Sequence, residues 1–141
     1  MNWIFWALLS AFFAGLTAVL AKIGVTGVDS NLATAVRTTV VLVFTWSIAL
    51  SANGNAMAAL SRLSHRSWGF LVLSGVATGL SWLCYFRALQ LGDASRVAPV
   101  DKLSVVFAIV FAAMLLHEKI GWQQWVGGWL VVTGAVILAI K

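Results

Sequence analysis

The sequence predicts an all-α fold, a polytopic membrane protein built as a bundle of five transmembrane helices. Two observations carry that prediction. Of 141 residues, 62% are hydrophobic and only 9% are charged, and a chain this short cannot hide so much apolar surface inside a water-facing fold. The apolar residues also fall into five stretches, each close to the ~20 helical residues that cross a hydrocarbon core of ~30 Å. The lipid bilayer is therefore the expected solvent.

The expected spans cover about residues 3–22, 33–52, 68–89, 95–116 and 122–140, making residues 1–141 a single transmembrane domain. The first span lacks the basic lead of a signal peptide and exceeds the ~15 residues of its apolar region, so it reads as a retained helix. Turn and breaker residues separate the spans: Gly24, Gly27, Asp29 and Asn31, then Asn53 and Gly54 onward to Arg66, then Gly92 and Asp93, then His117 to Gly121. The connection from Ser51 to Ser67 holds Arg62, His65 and Arg66 around a short Ala, Met and Leu patch. It suits either a segment lying on the membrane surface or a solvated linker.

Trp3 and Trp6 open the first span, Trp68 the third, and Trp122 and Trp125 the fifth. These odd-numbered starts share one side of the membrane, where amphipathic indoles form a headgroup belt. Gly75 and Gly79 form a GxxxG on the third span, and Gly127, Gly128 and Gly134 lie on the fifth. Small residues let helix backbones approach in lipid, where apolar side chains gain little by leaving one hydrocarbon for another. Cys84 is a lone cysteine in an apolar segment and is expected to pack.

Five spans put the termini on opposite sides. Arg62, Arg66 and Lys119 then lie on the N-terminal side, while Lys22, Arg96 and Lys141 mark the other boundary, with Arg37 and Arg87 slightly inside. Because orientation follows the excess of Lys and Arg in short loops, this near balance favours neither orientation. Insertion both ways would build an inverted two-fold dimer; a partner chain that fixes one orientation is the alternative.

Ionisable residues inside spans cost at least ~2.5 kcal/mol each on insertion scales, so each needs a reason. Arg37, Arg87, Asp101 and Lys102 all fall in the third of the membrane farther from the N-terminus, counted from their helix ends. Pro99 precedes the adjacent pair and is expected to bend the fourth helix. Asp101 and Lys102 are ~100° apart on a helical wheel and should not share a face. Asp101 is therefore expected to pair with Arg87 or Arg37, leaving a cationic remainder suited to an anionic or zwitterionic solute. Alternatively, both arginines snorkel to the interface and Asp101 serves assembly.

Glu118 is expected at the end of the fourth helix, either carrying a proton or standing solvated in the loop. His65 and His117 lack metal-ligand spacing, and the chain carries no Ser/His/Asp set. No metal, cofactor or enzymatic activity is therefore expected. The formal charge of +5 is spread singly rather than gathered into a stripe, which argues against nucleic acid as a partner.

The segment from Tyr85 to Ile140 resembles the EamA-type module of the drug/metabolite transporter superfamily. The resemblance rests on Tyr85, Ala88 and Leu89, the turn at Ala94 and Ser95, Phe107 and Ala108, then Glu118, Gln124, Gly127 and Gly134 at intervals of 6, 3 and 7. Gly15 and Arg37 extend it toward the N-terminus. The family usually has proline where this chain has Val105, and apolar or small residues where it has Pro99, Asp101 and Lys102. Typical members join two such modules into ten helices.

The resemblance implies a secondary transporter of the bacterial cytoplasmic membrane, an exporter or permease working by alternating access. A chain of one module would dimerise, with itself or with a related short module. Arg37, Arg87, Asp101 and Lys102 would line or brace the path. The alternatives are a non-transporting assembly subunit and a component of a lipid-linked-sugar flippase.

Overall fold

A computed structural model describes residues 3–52 and 56–140. Among these the regular structure is all helical: α1 (Trp3–Gly24), α2 (Ser30–Ala52), α3 (Ala56–Ser61), α4 (His65–Leu91), α5 (Ala94–Asp101), α6 (Ser104–Leu115) and α7 (Trp122–Ala139). Asn53 and Gly54, expected in a turn, and Lys141, counted at the far boundary, lie outside the described residues.

Among the described residues four segments are long and apolar enough to cross a membrane: α1, α2, α4 and the stretch Ala94–Leu115. Four of the five expected spans meet this measure. The fifth, α7, is an 18-residue helix beginning Trp-Gln-Gln-Trp; two glutamines and three glycines dilute its hydropathy.

The fourth span is not one bent helix over 95–116. It is interrupted at Lys102 and Leu103, between α5 and α6. Pro99 lies inside α5, and the interruption follows it. Proline cannot donate the main-chain bond that would tie it to Ser95, and the backbone beyond it tightens. Lys102 N–H donates to Pro99 O at 3.1 Å, Leu103 N–H to Val100 O at 3.0 Å, Val105 N–H to Lys102 O at 3.1 Å and Val106 N–H to Leu103 O at 2.9 Å. These are three-residue closures of the 3₁₀ type, which keep the amides satisfied while breaking the α-helical register.

Helix starts are set by local caps. Asp29 Oδ1 accepts from the backbone N–H groups of Asn31 and Leu32, both at 3.0 Å, so α2 begins at Ser30, three residues before the expected start. The preceding turn places Gly27 at φ 74°, a left-handed conformation that glycine adopts without a Cβ clash. Ser64 Oγ accepts from Ser67 N–H at 3.1 Å, so α4 starts at His65 and takes Arg66 into its first turn. The resulting helix has 27 residues. The Ala, Met and Leu patch of the long connection forms α3.

Beyond Leu115 the chain turns through His117 at φ 53°. Glu118 N–H reaches back to Ala112 O at 3.2 Å. Glu118 therefore stands outside the helix it was expected to end.

The residues cluster into two compact units, Met1–Ile23 with Ala88–Lys141, and Gly24–Arg87. In the first, α7 packs along α5 and α6. Few described apolar side chains are buried: Ala18, Ala21, Val25, Phe86, Leu89 and Ala135. Phe44, Leu73, Phe107 and Trp129 are among the many large apolar side chains that point outward, as a lipid-solvated bundle requires.

Candidate functional site

In the unit Gly24–Arg87, Arg37 is half-buried on α2, seven residues after its start. Its guanidinium carbon stands 4.2 Å from the centre of the Trp82 ring and 5.6 Å from that of Phe86. Trp82, Tyr85 and Phe86 occupy one face of α4 at i, i+3 and i+4 spacing, and the Tyr85 and Phe86 rings meet edge-on at 6.5 Å. A guanidinium over an aromatic face gains up to ~2 kcal/mol when desolvated. Arg87, on the same helix, is exposed four residues before its end. Cys84, expected to pack, is also exposed.

In the other unit, the structure brings Asp101 together with Lys102. The Lys102 ammonium lies 3.5 Å from Asp101 Oδ2, with both side chains substantially exposed. The expectation that these neighbours point apart is thereby corrected. The wheel assumes a regular helix, whereas the helix ends at Asp101 and Lys102 already belongs to the tightened turn. Pro99 shapes the region where this pair sits.

Lys22, counted only as a boundary charge, has a structural role missed by the sequence reading. Its ammonium, at the end of α1, donates to Leu89 O at 2.7 Å and Gly92 O at 2.8 Å. The last carbonyls of an α-helix have no partners within it, and a cation at that end is also favoured by the helix dipole. Lys22 thus caps α4 and holds the turn leading into α5. The available signal was its position, at a helix end opposite the Gly92–Asp93 turn.

An apolar groove of about 230 Å³ lies between α6 and α7, lined by Val106, Ile109, Gln124, Trp125, Gly128, Trp129 and Val132. Gly128 forms part of its wall. A Cβ there would stand 3.8 Å from Ile109 Cδ1. At Gly75, Gly79, Gly127 and Gly134, the glycines expected to mediate packing, a Cβ would meet nothing within 4 Å. Among the described residues no three His, Cys, Asp or Glu side chains gather as a metal site.

A family model described as the EamA-like transporter family matches residues 1–140. An uncharacterized transporter in the cobO 3' region of Sinorhizobium sp. is 50% identical over 139 residues, which is 99% of this chain and 97% of that protein. A probable 4-amino-4-deoxy-L-arabinose-phosphoundecaprenol flippase subunit ArnE of Enterobacter sp. is 33% identical over 81 residues, 57% of this chain and 76% of that protein. The protein of the same description from Aeromonas salmonicida is 28% identical over 69 residues, 49% of this chain and 60% of that protein. No solved structure matches the chain.

Proposed function

Because the chain belongs to the EamA-like transporter family, we propose that it is a secondary transporter, an exporter or permease, that moves a small anionic or zwitterionic metabolite across the cell membrane. In this reading two modules form a dimer and work by alternating access. Residues 1–141 act as one transmembrane domain, and α7 serves as a fifth span, with Gln123 and Gln124 at the headgroup level beside Trp122 and Trp125.

The observation that carries the reading is the interruption of the fourth span at Lys102 and Leu103. The eight residues of α5 rise about 12 Å, so the break lies well inside a hydrocarbon core of ~30 Å. Irregular backbone is tolerated at such depth where it is covered by protein or lines a water-filled cavity. Broken helices at mid-membrane are also where transporters build their sites. Asp101 and Lys102 sit at this break with their charges exposed, which suits a polar path better than contact with lipid. Arg37 and Arg87 contribute further positive charge. The open faces at Gly75, Gly79, Gly127 and Gly134 admit the close approach of a second module.

The ArnE matches support a second reading, a subunit of a flippase for a lipid-linked sugar. In that case the second module is a different chain. An assembly subunit that transports nothing is the third reading.

One experiment separates transport from assembly without knowledge of the solute. Single cysteines are placed at Val28, Ser61 and Ser104 in a Cys84→Ser background, and right-side-out and inverted vesicles are treated with a membrane-impermeant maleimide. Val28 and Ser61 report orientation. Labelling of Ser104 from both faces, beyond what orientation accounts for, supports a path through the break. Ser104 shielded from both faces would make the chain an assembly subunit sealed in lipid.

A further inference from the structure

Arg37 is held deep rather than drawn out to the interface. It lies seven residues into α2, about 10 Å at ~1.5 Å per residue. Trp82 lies nine residues before the end of α4, about 13 Å by the same rise. Successive spans cross a membrane in opposite directions, so as spans α2 and α4 have these two depths measured from the same side. A guanidinium 4.2 Å from the Trp82 ring centre is therefore level with that ring or near it, not extended toward water.

The aromatic contacts hold the guanidinium carbon over two rings of α4. Within its unit the guanidinium of Arg37 meets the rings of Trp82 and Phe86, and Tyr85 is an electrostatic neighbour of the same group. A guanidinium carries five N–H donors in a planar fork that matches carboxylate and phosphate oxygens in pairs. Holding the side chain against two rings lowers the ordering cost of binding such a group. A guanidinium within a membrane span is costly unless acceptor groups meet it.

We propose that Arg37, stacked on Trp82 and Phe86, is an oxyanion-binding element that receives the phosphate of a transported ligand, either a soluble phosphate ester or a lipid phosphate headgroup. The proposal rests on the transporter reading and adds to it a chemical class and two aromatic residues. Trp82 and Phe86 are positioning residues that hold the guanidinium plane; Arg37 makes the contact with the anion.

The test uses the full chain carrying 5-fluorotryptophan, purified in dodecyl maltoside, which contains no phosphate. The Trp82 fluorine resonance is assigned by its loss in Trp82→Phe. Sodium methyl phosphate is titrated at constant ionic strength, and dioleoyl phosphatidate is added to the same micelles in a parallel series. A saturable Trp82 shift with methyl phosphate supports the proposal with a soluble ligand; a shift with phosphatidate alone supports it with a lipid headgroup.

Arg37→Gln should weaken the apparent affinity about tenfold or more, the loss of one charge-assisted bond. Arg37→Lys, which keeps the charge and loses the fork, should fall between parent and Arg37→Gln. Arg62→Gln should leave the titration unchanged. No shift in either series, or affinities unaffected by both Arg37 substitutions, overturns the proposal. A missing phosphate response with Ser104 labelled from both faces removes the anion site alone, whereas a shielded Ser104 removes the transporter reading itself.

Discussion

Replacing Lys22 with methionine should destabilise the protein by about 2–4 kcal/mol. The substitution preserves the length of the aliphatic stem and removes the ammonium that donates to Leu89 O and Gly92 O at 2.7 and 2.8 Å. Hydrogen bonds to a charged group contribute about 1.5–3 kcal/mol each. Two such bonds would give more than the stated range, but both are part-buried, so the sum is reduced. Leu89 is fully buried, and water replaces the lost donor poorly there. The assay is equilibrium unfolding in mixed micelles of increasing sodium dodecyl sulfate content, followed by circular dichroism. Lys22→Arg retains charge and donors and should recover at least half of the loss, which separates capping from a change in membrane insertion. A Lys22→Met protein within about 0.5 kcal/mol of the parent, the range of an ordinary surface change, would refute the capping role.

Three further outcomes are expected. Pro99→Ala restores a main-chain donor to α5 and should raise stability by about 1–3 kcal/mol in the same unfolding assay; if the break serves transport, Ser104 should at the same time lose its labelling from one face. Asp29→Ala removes the acceptor for Asn31 and Leu32 and should cost about 1 kcal/mol, with faster amide exchange confined to the first turn of α2. Gly128→Ala places its Cβ at ordinary contact distance from Ile109 and should stabilise α7 by up to about 1 kcal/mol. Gly128→Leu should instead overfill the groove and lower the unfolding midpoint.

The parts of the fold that depend on composition and local chemistry were legible in the sequence. Apolar length placed α1, α2 and α4, and the glycines and aspartates at 24–31 and 92–93 marked the turns. The boundaries moved where a side chain reached the backbone: Asp29 drew the start of α2 back to Ser30, and Ser64 that of α4 to His65. Pro99 announced an irregularity, but periodicity could not say that the helix would stop at Asp101 and resume at Ser104. That depends on how the tightened turn satisfies its amides.

The site was legible as a set of charges and not as a set of partners. Arg37 was visible, whereas its stacking on Trp82 and Phe86 requires α2 and α4 to meet at a particular register. The Lys22 contacts join residues 67 and 70 positions apart, a separation that no local pattern encodes. The expectation that Asp101 and Lys102 point apart rested on a regular wheel, and that regularity fails at Lys102.

The lengths of α4 and α7 bear on the membrane that can hold this module. At ~1.5 Å per residue the 27 residues of α4 extend about 40 Å, whereas the 18 of α7 extend about 27 Å. If α7 is a fifth span, as proposed, no single bilayer thickness suits both when they stand upright. A thin membrane fits α7 and forces α4 to tilt or protrude; a thick one covers α4 and draws the glutamine-bearing start of α7 into hydrocarbon. With α7 as a span, membrane thickness would act on this chain as a mechanical variable, setting helix tilt through lipid composition without any ligand being bound.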